Sequence, residues 1–279
     1  MRSEARGTVD SAEPRKHGKD FIESLARGLD VIQAFSADAP EMTLAEVAKK
    51  TGLSAASARR ALLTLCDLGY VGVNGKRFVL RAKVLSLGAA YVSSMNLRDV
   101  ADGFLQSVAD HFHDAASLAL REGDQVLYVS HVSSDRVIRF KARVGYLLPA
   151  YATSLGRVLL AHETDAEQDR FLGSVRFEAY TSQTTVDREE LRSILRRVRE
   201  EGFSLVQDQL EYGVVAVAVP VRDKSGSVVA AINCSSLTSR VEPAEMARTR
   251  VPLLQDAALQ ISDALERYPA LIHSLNSGV

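Results

Sequence analysis

The feature that most narrows the fold of this chain is a run of local signals between Thr43 and Leu80. Thr43, followed three residues later by Glu46, forms a capping box for a helix whose buried stripe is Leu44, Val47 and Ala48. Gly52 closes that helix in a tight turn. Ser54 can then cap a third helix in which Ala58, Ala61, Leu62, Leu65 and Leu68 share one face. Tyr70–Leu80 reads as two short strands around an Asn74-Gly75 turn, with Lys76 and Arg77 just past its tip. Upstream, Ile22, Leu25, Leu29, Ile32 and Phe35 recur at helical spacing over Phe21–Phe35. Helix, helix, Gly turn, helix and hairpin in that order predict a winged helix-turn-helix domain.

Charge placement supports a phosphate-binding role for this segment. From Lys49 to Lys83 the basic residues are Lys49, Lys50, Arg59, Arg60, Lys76, Arg77, Arg81 and Lys83, against the single acid Asp67. That segment carries +7 in a chain whose formal net charge is −1, so the remainder carries −8. A basic module on an acidic body fits a nucleic-acid-binding domain fused to a domain with another task. Arg59, Arg60 and Leu63 fall away from the buried stripe of the third helix, and Ser57 and Thr64 flank it.

The chain as a whole is ordinary globular sequence at 46% hydrophobic and 25% charged. Residues 1–20 lack periodicity and an apolar signal core, so a disordered tail, no secretory signal and a cytoplasmic location are expected. No uninterrupted apolar run approaches the ~18 to 20 residues of a membrane span. Cys66 and Cys234 are too few for a disulfide scaffold or a structural zinc site, and both are expected to be reduced. Residues 82–95, with Val84, Leu85, Leu87, Gly88, Tyr91 and Val92, read as a linker helix with apolar surface left over for a second protomer. Residues 96–279 alternate hairpins and helices without regular βαβ units, predicting an α+β domain with an antiparallel sheet. Its strands are expected at Ala116–Leu120, Val126–Val132, Val137–Ala142, Phe203–Val206, Val214–Val221 and Val228–Ser235. Its helices are expected from Leu97 to Phe112, after Ser154, over Val186–Glu201 and over Pro243–Tyr268.

Catalytic signatures are missing: the sequence has no Walker loop, dinucleotide fingerprint, Gly-x-Ser-x-Gly elbow or His-Glu-x-x-His. His111 and His113 beside Asp114 are poor metal ligands, because helical residues two apart project about 200° from one another. Cys234 on a buried strand reads as a small hydrophobe. Polar groups that do call for a partner end the strand Val228–Ser235, where Asn233, Ser235 and Ser236 interrupt an apolar run. Thr153 and Ser154, at a helix start, can present N–H groups to an anion or serve only as caps. Arg139 can form a carboxylate fork or a surface salt bridge.

Several blocks resemble the IclR family of bacterial transcription regulators over nearly all of residues 21–270. They are Ser24-Leu-Ala-Arg-Gly-Leu-Asp-Val31, Leu53–Leu65 with Leu68-Gly-Tyr-Val71, Ala152-Thr-Ser-Leu-Gly-Arg157, and Asp208 with Glu211 before Val217-Ala-Val-Pro-Val221. Ala58-Arg-Arg60, residues 148–154 and Ala231-Ile-Asn-Cys-Ser235 are similar to the Pca/Pob branch, regulators of aromatic-acid catabolism through the β-ketoadipate pathway. The resemblance implies a winged helix-turn-helix domain over 21–81, a linker and dimer helix over 82–95, and a GAF/PAS-like effector domain over 96–279. DNA-contact candidates are then Arg27, Ser54, Ser57, Arg59, Arg60, Thr64, Lys76 and Arg77, and effector-site candidates are Arg139, Tyr151, Thr153, Ser154, Asn233 and Ser235. Ala216 and Val206 stand where some glyoxylate- and pyruvate-responsive relatives carry Cys and Asp, which implies a less polar pocket. The expected partners are a palindromic double-stranded DNA operator, a small carboxylate such as protocatechuate, 4-hydroxybenzoate or β-ketoadipate, further copies of the chain as a homodimer or dimer of dimers, and RNA polymerase. No cofactor and no catalysis are expected. The alternatives are a small-molecule-processing enzyme with an accessory DNA-binding domain, and a sensor or scaffold module.

Overall fold

The structure, a computed structural model, describes residues 18–36, 38–88, 97–133 and 143–267. Two compact units divide the chain, residues 1–90 and 91–279. The strand expected at Val137–Ala142, Arg139 with it, and the second half of the linker helix lie outside the described residues.

In the first unit, α1 (Glu23–Gln33), α2 (Leu44–Thr51) and α3 (Ala55–Asp67) enclose a core of Val31, Val47, Ala58, Leu62 and Leu65. The expected caps form. The Thr43 hydroxyl accepts from the Glu46 amide while the Glu46 carboxylate accepts from the Thr43 amide at 2.7 Å, and Gly52 turns the chain at φ 70°. Ser54 Oγ accepts from the Ser57 amide at 3.2 Å to start α3. Strands β2 (Val71–Asn74) and β3 (Arg77–Leu80) pair around Gly75-Lys76, so the turn sits one residue later than expected and Lys76 occupies its tip. Gly75 takes φ 60°, the left-handed conformation such a turn requires. A third strand, β1 (Glu41–Thr43), joins the opposite edge of β3, an element too short to leave a sequence pattern.

The second unit is built on a six-stranded antiparallel sheet whose order is β6-β5-β4-β9-β8-β7. Its strands are β4 (Ala115–Glu122), β5 (Gln125–Ser133), β6 (Leu147–Pro149), β7 (Ser204–Gln207), β8 (Val214–Arg222) and β9 (Val228–Leu237). Period-two alternation divides the side chains between two cores. Val215, Val217, Val219, Ile232 and Cys234 face α4 (Leu97–Phe112) and α8 (Pro243–Leu265). Ala119, Tyr128, Ala218 and Ala231 face α5 (Ser154–Ala161) and α7 (Arg188–Glu201). Two elements not expected from the sequence appear, β6 and α6 (Asp165–Ser174), the latter with only Gln168, Phe171 and Leu172 buried. Among the described residues no helix is long and apolar enough to cross a membrane, and no cluster of His, Cys, Asp and Glu could hold a metal.

Candidate functional site

Polar side chains meet on the α5 face of the sheet. Cross-strand register places Ser117 of β4 opposite Asn233 of β9 and, on its other side, opposite His131 of β5. Ser235 lies beside Ala216 of β8, and Ala216 beside Val206 of β7. Above this floor sits the start of α5, where Thr153 is the N-cap and its Oγ1 accepts from the Gly156 amide at 3.1 Å. Between floor and helix is a cavity of about 70 Å³ lined by Thr153, Ser154, Asn233, Ser235, Ser117 and His131 together with Tyr128, Val206, Gln209, Glu211 and Ala216.

Two of its polar atoms are buried and meet no partner among the described residues: Ser154 Oγ and Asn233 Oδ1. Leaving such an atom unpaired costs about 1–3 kcal/mol, so a protein that keeps two in one cavity has a reason to do so. Asn233 Nδ2 is engaged, donating to Ser235 Oγ at 3.0 Å. Ser117 Oγ and His131 Nδ1 are 2.9 Å apart, and burial pushes the His131 imidazolium pKa down, so the ring is neutral near pH 7. Thus Thr153, Ser154, Asn233 and Ser235 come together in one cavity. Tyr151 does not join them: it is buried as a strut whose hydroxyl donates to the Glu178 carbonyl at 2.9 Å and accepts from the Glu178 amide at 2.7 Å. Arg139 lies outside the described residues.

Ser117, His131, Gln209, Glu211 and Arg157 are not among the effector-site candidates, although Glu211 and Arg157 stand in blocks that the family resemblance rests on. Arg157 is a buried cation on an otherwise apolar helix, a pattern that marks it in the sequence once noticed. Its Nε donates to the Tyr151 carbonyl at 2.8 Å and its Nη2 to Gln209 Oε1 at 2.6 Å, and burial lowers its pKa to about 10, which leaves it charged at pH 7. The Asp208–Glu211 segment forms the cavity's other wall. Asp208 adopts φ 54°, rare for a non-glycine, and its carboxylate accepts from the Gly213 amide at 2.6 Å. Thr184 Oγ1 donates to the Gln209 carbonyl at 2.6 Å and the Ser182 amide to the Tyr212 hydroxyl at 2.8 Å. Asp208 therefore shapes the wall and Glu211 lines the cavity.

In the first unit the basic residues divide into two sets. On α3, Arg60 lies opposite the buried Ala58, Leu62 and Leu65, and both Arg59 and Arg60 are exposed. Lys76 is exposed at the hairpin tip. Arg77 is also exposed but engaged along the sheet, its Nη1 donating to the Glu41 carbonyl at 3.1 Å and reaching the Glu46 carboxylate at 3.4 Å. Arg27 pairs with Glu23 and approaches Ser57 Oγ at 3.5 Å, joining α1 to α3. Ser54 is occupied as a cap, and Thr64 Oγ1 donates to the Arg60 carbonyl at 2.9 Å. The surface best placed to meet a duplex is therefore Arg59, Arg60 and Lys76. Arg60→Ala is expected to lose about 1–3 kcal/mol of operator binding, while Lys76→Ala weakens all sequences alike and flattens the logarithmic salt slope by about one unit. Titration of specific and random duplexes at several salt concentrations separates the two, and unchanged binding by both variants would remove the assignment.

Comparison with known proteins places these two sites in context. Residues 24–75 match the model of the IclR helix-turn-helix domain, and residues 89–263 match that of the bacterial transcriptional regulator IclR C-terminal domain. The chain is 40% identical over 247 residues to the Pca regulon regulatory protein of Pseudomonas putida, covering 88% of this chain and 85% of that one. It is 32% identical over 248 residues to the p-hydroxybenzoate hydroxylase transcriptional activator of Acinetobacter baylyi, covering 87% and 92% of the two chains. Among solved structures it is similar to a double mutant of the inducer-binding domain of the PobR transcription factor from Acinetobacter in complex with 3-hydroxybenzoic acid. That likeness has a TM-score of 0.56 at 30% identity and covers 59% of this chain and 97% of that one.

Proposed function

The chain belongs to the IclR family of bacterial transcriptional regulators, and on that premise we propose that it controls genes of aromatic-acid catabolism by sensing a small aromatic carboxylate in the α5 cavity. The observation that carries this reading is the cavity itself, set at the start of α5, where two buried polar side-chain atoms have no partner among the described residues and polar groups share the lining with Tyr128, Leu148, Val206 and Ala216. A helix start favours an anion by up to ~2 kcal/mol when partly buried. Two relatives point the same way: one is named for p-hydroxybenzoate hydroxylase, and the other's inducer-binding domain holds 3-hydroxybenzoic acid. Val206 and Ala216 give this wall the apolar character that suits a ring.

Size supplies the switch. A cavity that holds benzene measures about 150 Å³, whereas this one is about 70 Å³. An aromatic acid therefore fits only when the side chains that line the cavity move apart. A ligand that binds the expanded state more tightly than the closed one shifts the balance between them, and so can change affinity for DNA. In this reading residues 21–81 bind the operator through Arg59, Arg60 and Lys76, residues 82–95 link and pair protomers, and residues 96–279 hold the acid. The protein acts in the cytoplasm as a homodimer or dimer of dimers on a palindromic operator, with RNA polymerase as the downstream partner. The groove of Leu25, Leu29, Leu68 and Leu87, all of them exposed, supports pairing.

Calorimetry of the full chain with protocatechuate, 4-hydroxybenzoate and β-ketoadipate tests the proposal. An acid that binds, is recovered unchanged and alters operator affinity supports it, and turnover of the acid would replace it with the enzyme reading. Glu211 supplies an internal check. It is the only acidic residue among the described cavity lining, which contains no Lys or Arg. At an effective dielectric of ~40, two like charges ~8 Å apart repel by about 1 kcal/mol. Glu211→Gln is therefore expected to tighten acid binding about fivefold, and a weakened or unchanged affinity would place the carboxylate elsewhere.

A further inference from the structure

We infer that the sheet floor of the cavity, Asn233 with the Ser117 and His131 pair, reads a hydroxyl group on the effector and so selects hydroxylated acids from their unsubstituted counterparts. This assignment rests on the acid-effector reading above and goes beyond it. Asn233 Oδ1 is buried, can only accept hydrogen bonds, and has no partner among the described residues. A carboxylate has no proton to give it at neutral pH, while one of the two N–H groups of the same amide already donates to Ser235 Oγ at 3.0 Å. The group that satisfies Oδ1 must be a donor, so the carboxylate belongs at the α5 start and another part of the ligand at Asn233.

The neighbouring pair supplies the other half of a hydroxyl's needs. His131 is held neutral by its burial, so the ring carries one N–H, and Ser117 carries one O–H. Their mutual contact of 2.9 Å uses one of those two protons. Whichever ring nitrogen is protonated, one donor is left over: the Ser117 hydroxyl, on the strand paired with Asn233, when Nδ1 carries the proton, and His131 Nε2–H, one strand further along the cavity floor, when Nε2 does. A ligand hydroxyl that donates to Asn233 Oδ1 and accepts from the Ser117 and His131 pair satisfies both. A methyl group in its place leaves both unpaired.

The test compares position-matched probes of similar size: 4-hydroxybenzoate against 4-methylbenzoate, and 3-hydroxybenzoate against 3-methylbenzoate, each titrated calorimetrically into the full chain. The wild type is expected to bind at least one hydroxylated acid about tenfold or more tightly than its methyl counterpart, because a site built for a hydroxyl penalises its loss. Asn233→Leu should bring that ratio within about threefold by weakening the hydroxylated acid and strengthening the methylated one. Should that variant fail to fold, Ser117→Ala and His131→Phe address the same hydroxyl from its other side, and each should reduce the ratio at least threefold. A wild-type ratio near one would overturn the hydroxyl assignment while leaving the carboxylate site in place, as would a ratio unchanged in every folded variant. Binding of none of the four acids would instead sink the aromatic-effector reading and this assignment with it.

Discussion

Asp114→Ala is expected to destabilise the C-terminal unit by about 3–5 kcal/mol, because it leaves a nearly buried guanidinium without its counter-ion. Asp114 is 1% exposed and sits just past the end of α4, after His113 at φ 54°. Its carboxylate accepts from Arg250 Nη2 at 3.1 Å and Nε at 3.3 Å, from Ser236 Oγ at 2.5 Å, and from Cys234 Sγ at 3.6 Å. Arg250 is further held over the Phe112 ring, 4.1 Å from its centroid. One carboxylate thus ties the end of α4 to β9 and α8. Scanning calorimetry should show that unit melting about 10 °C lower, at ~2–4 °C per kcal/mol for a unit of this size. The double variant Asp114→Ala/Arg250→Ala should be less destabilised than the sum of the two single changes, since it leaves no unpaired charge. A loss below about 1 kcal/mol in Asp114→Ala would show that water reaches the pair.

The second large effect is expected at Gly156→Ala, a substitution that on propensity alone should strengthen a helix. A Cβ at this position would lie 2.2 Å from the Ala150 carbonyl oxygen and 2.3 Å from its Cα, both main-chain atoms. Main chain cannot rotate aside, so the start of α5 must lift from the turn at Ala150–Ala152. Overpacking of this kind costs about 3 kcal/mol or more where backbone must shift. The same displacement moves Thr153 and Ser154, so acid binding should fall at least tenfold even in protein that remains folded. Thermal melting followed by calorimetry with the acid checks both. A variant as stable as the wild type with unchanged acid affinity would mean that the helix and turn are less closely packed than the structure shows.

Much of the DNA-binding unit was legible because its determinants are local. Thr43, Glu46, Gly52 and Ser54 each act within four residues of themselves, and each adopts the role its sequence context implies. Where a role depends on distant residues, a single segment shows only part of it. Arg77 reads as a wing cation, but β1 brings Glu41 and α2 brings Glu46 beside it. Tyr151, within a block implied to bind the effector, is consumed by Glu178, a residue 27 positions away. Helix α6 escaped notice because its weakly amphipathic sequence buries only three side chains.

For the cavity, the ingredients are already present in the local sequence: a capped helix start at Thr153 and a strand that turns polar at Asn233 and Ser235. Local sequence also determined the winged helix-turn-helix, since caps, turns and hydrophobic period are short-range physics. That β4 lies against β9, which sets Ser117 beside Asn233 although more than a hundred residues separate them, follows from long-range packing alone. The same packing has Asn233 engage one amide atom with Ser235 and leave the other without a partner in the cavity lining. Strand order and residual hydrogen-bonding capacity depend on which chain segments pack together, and a periodicity confined to one segment carries no record of its neighbours.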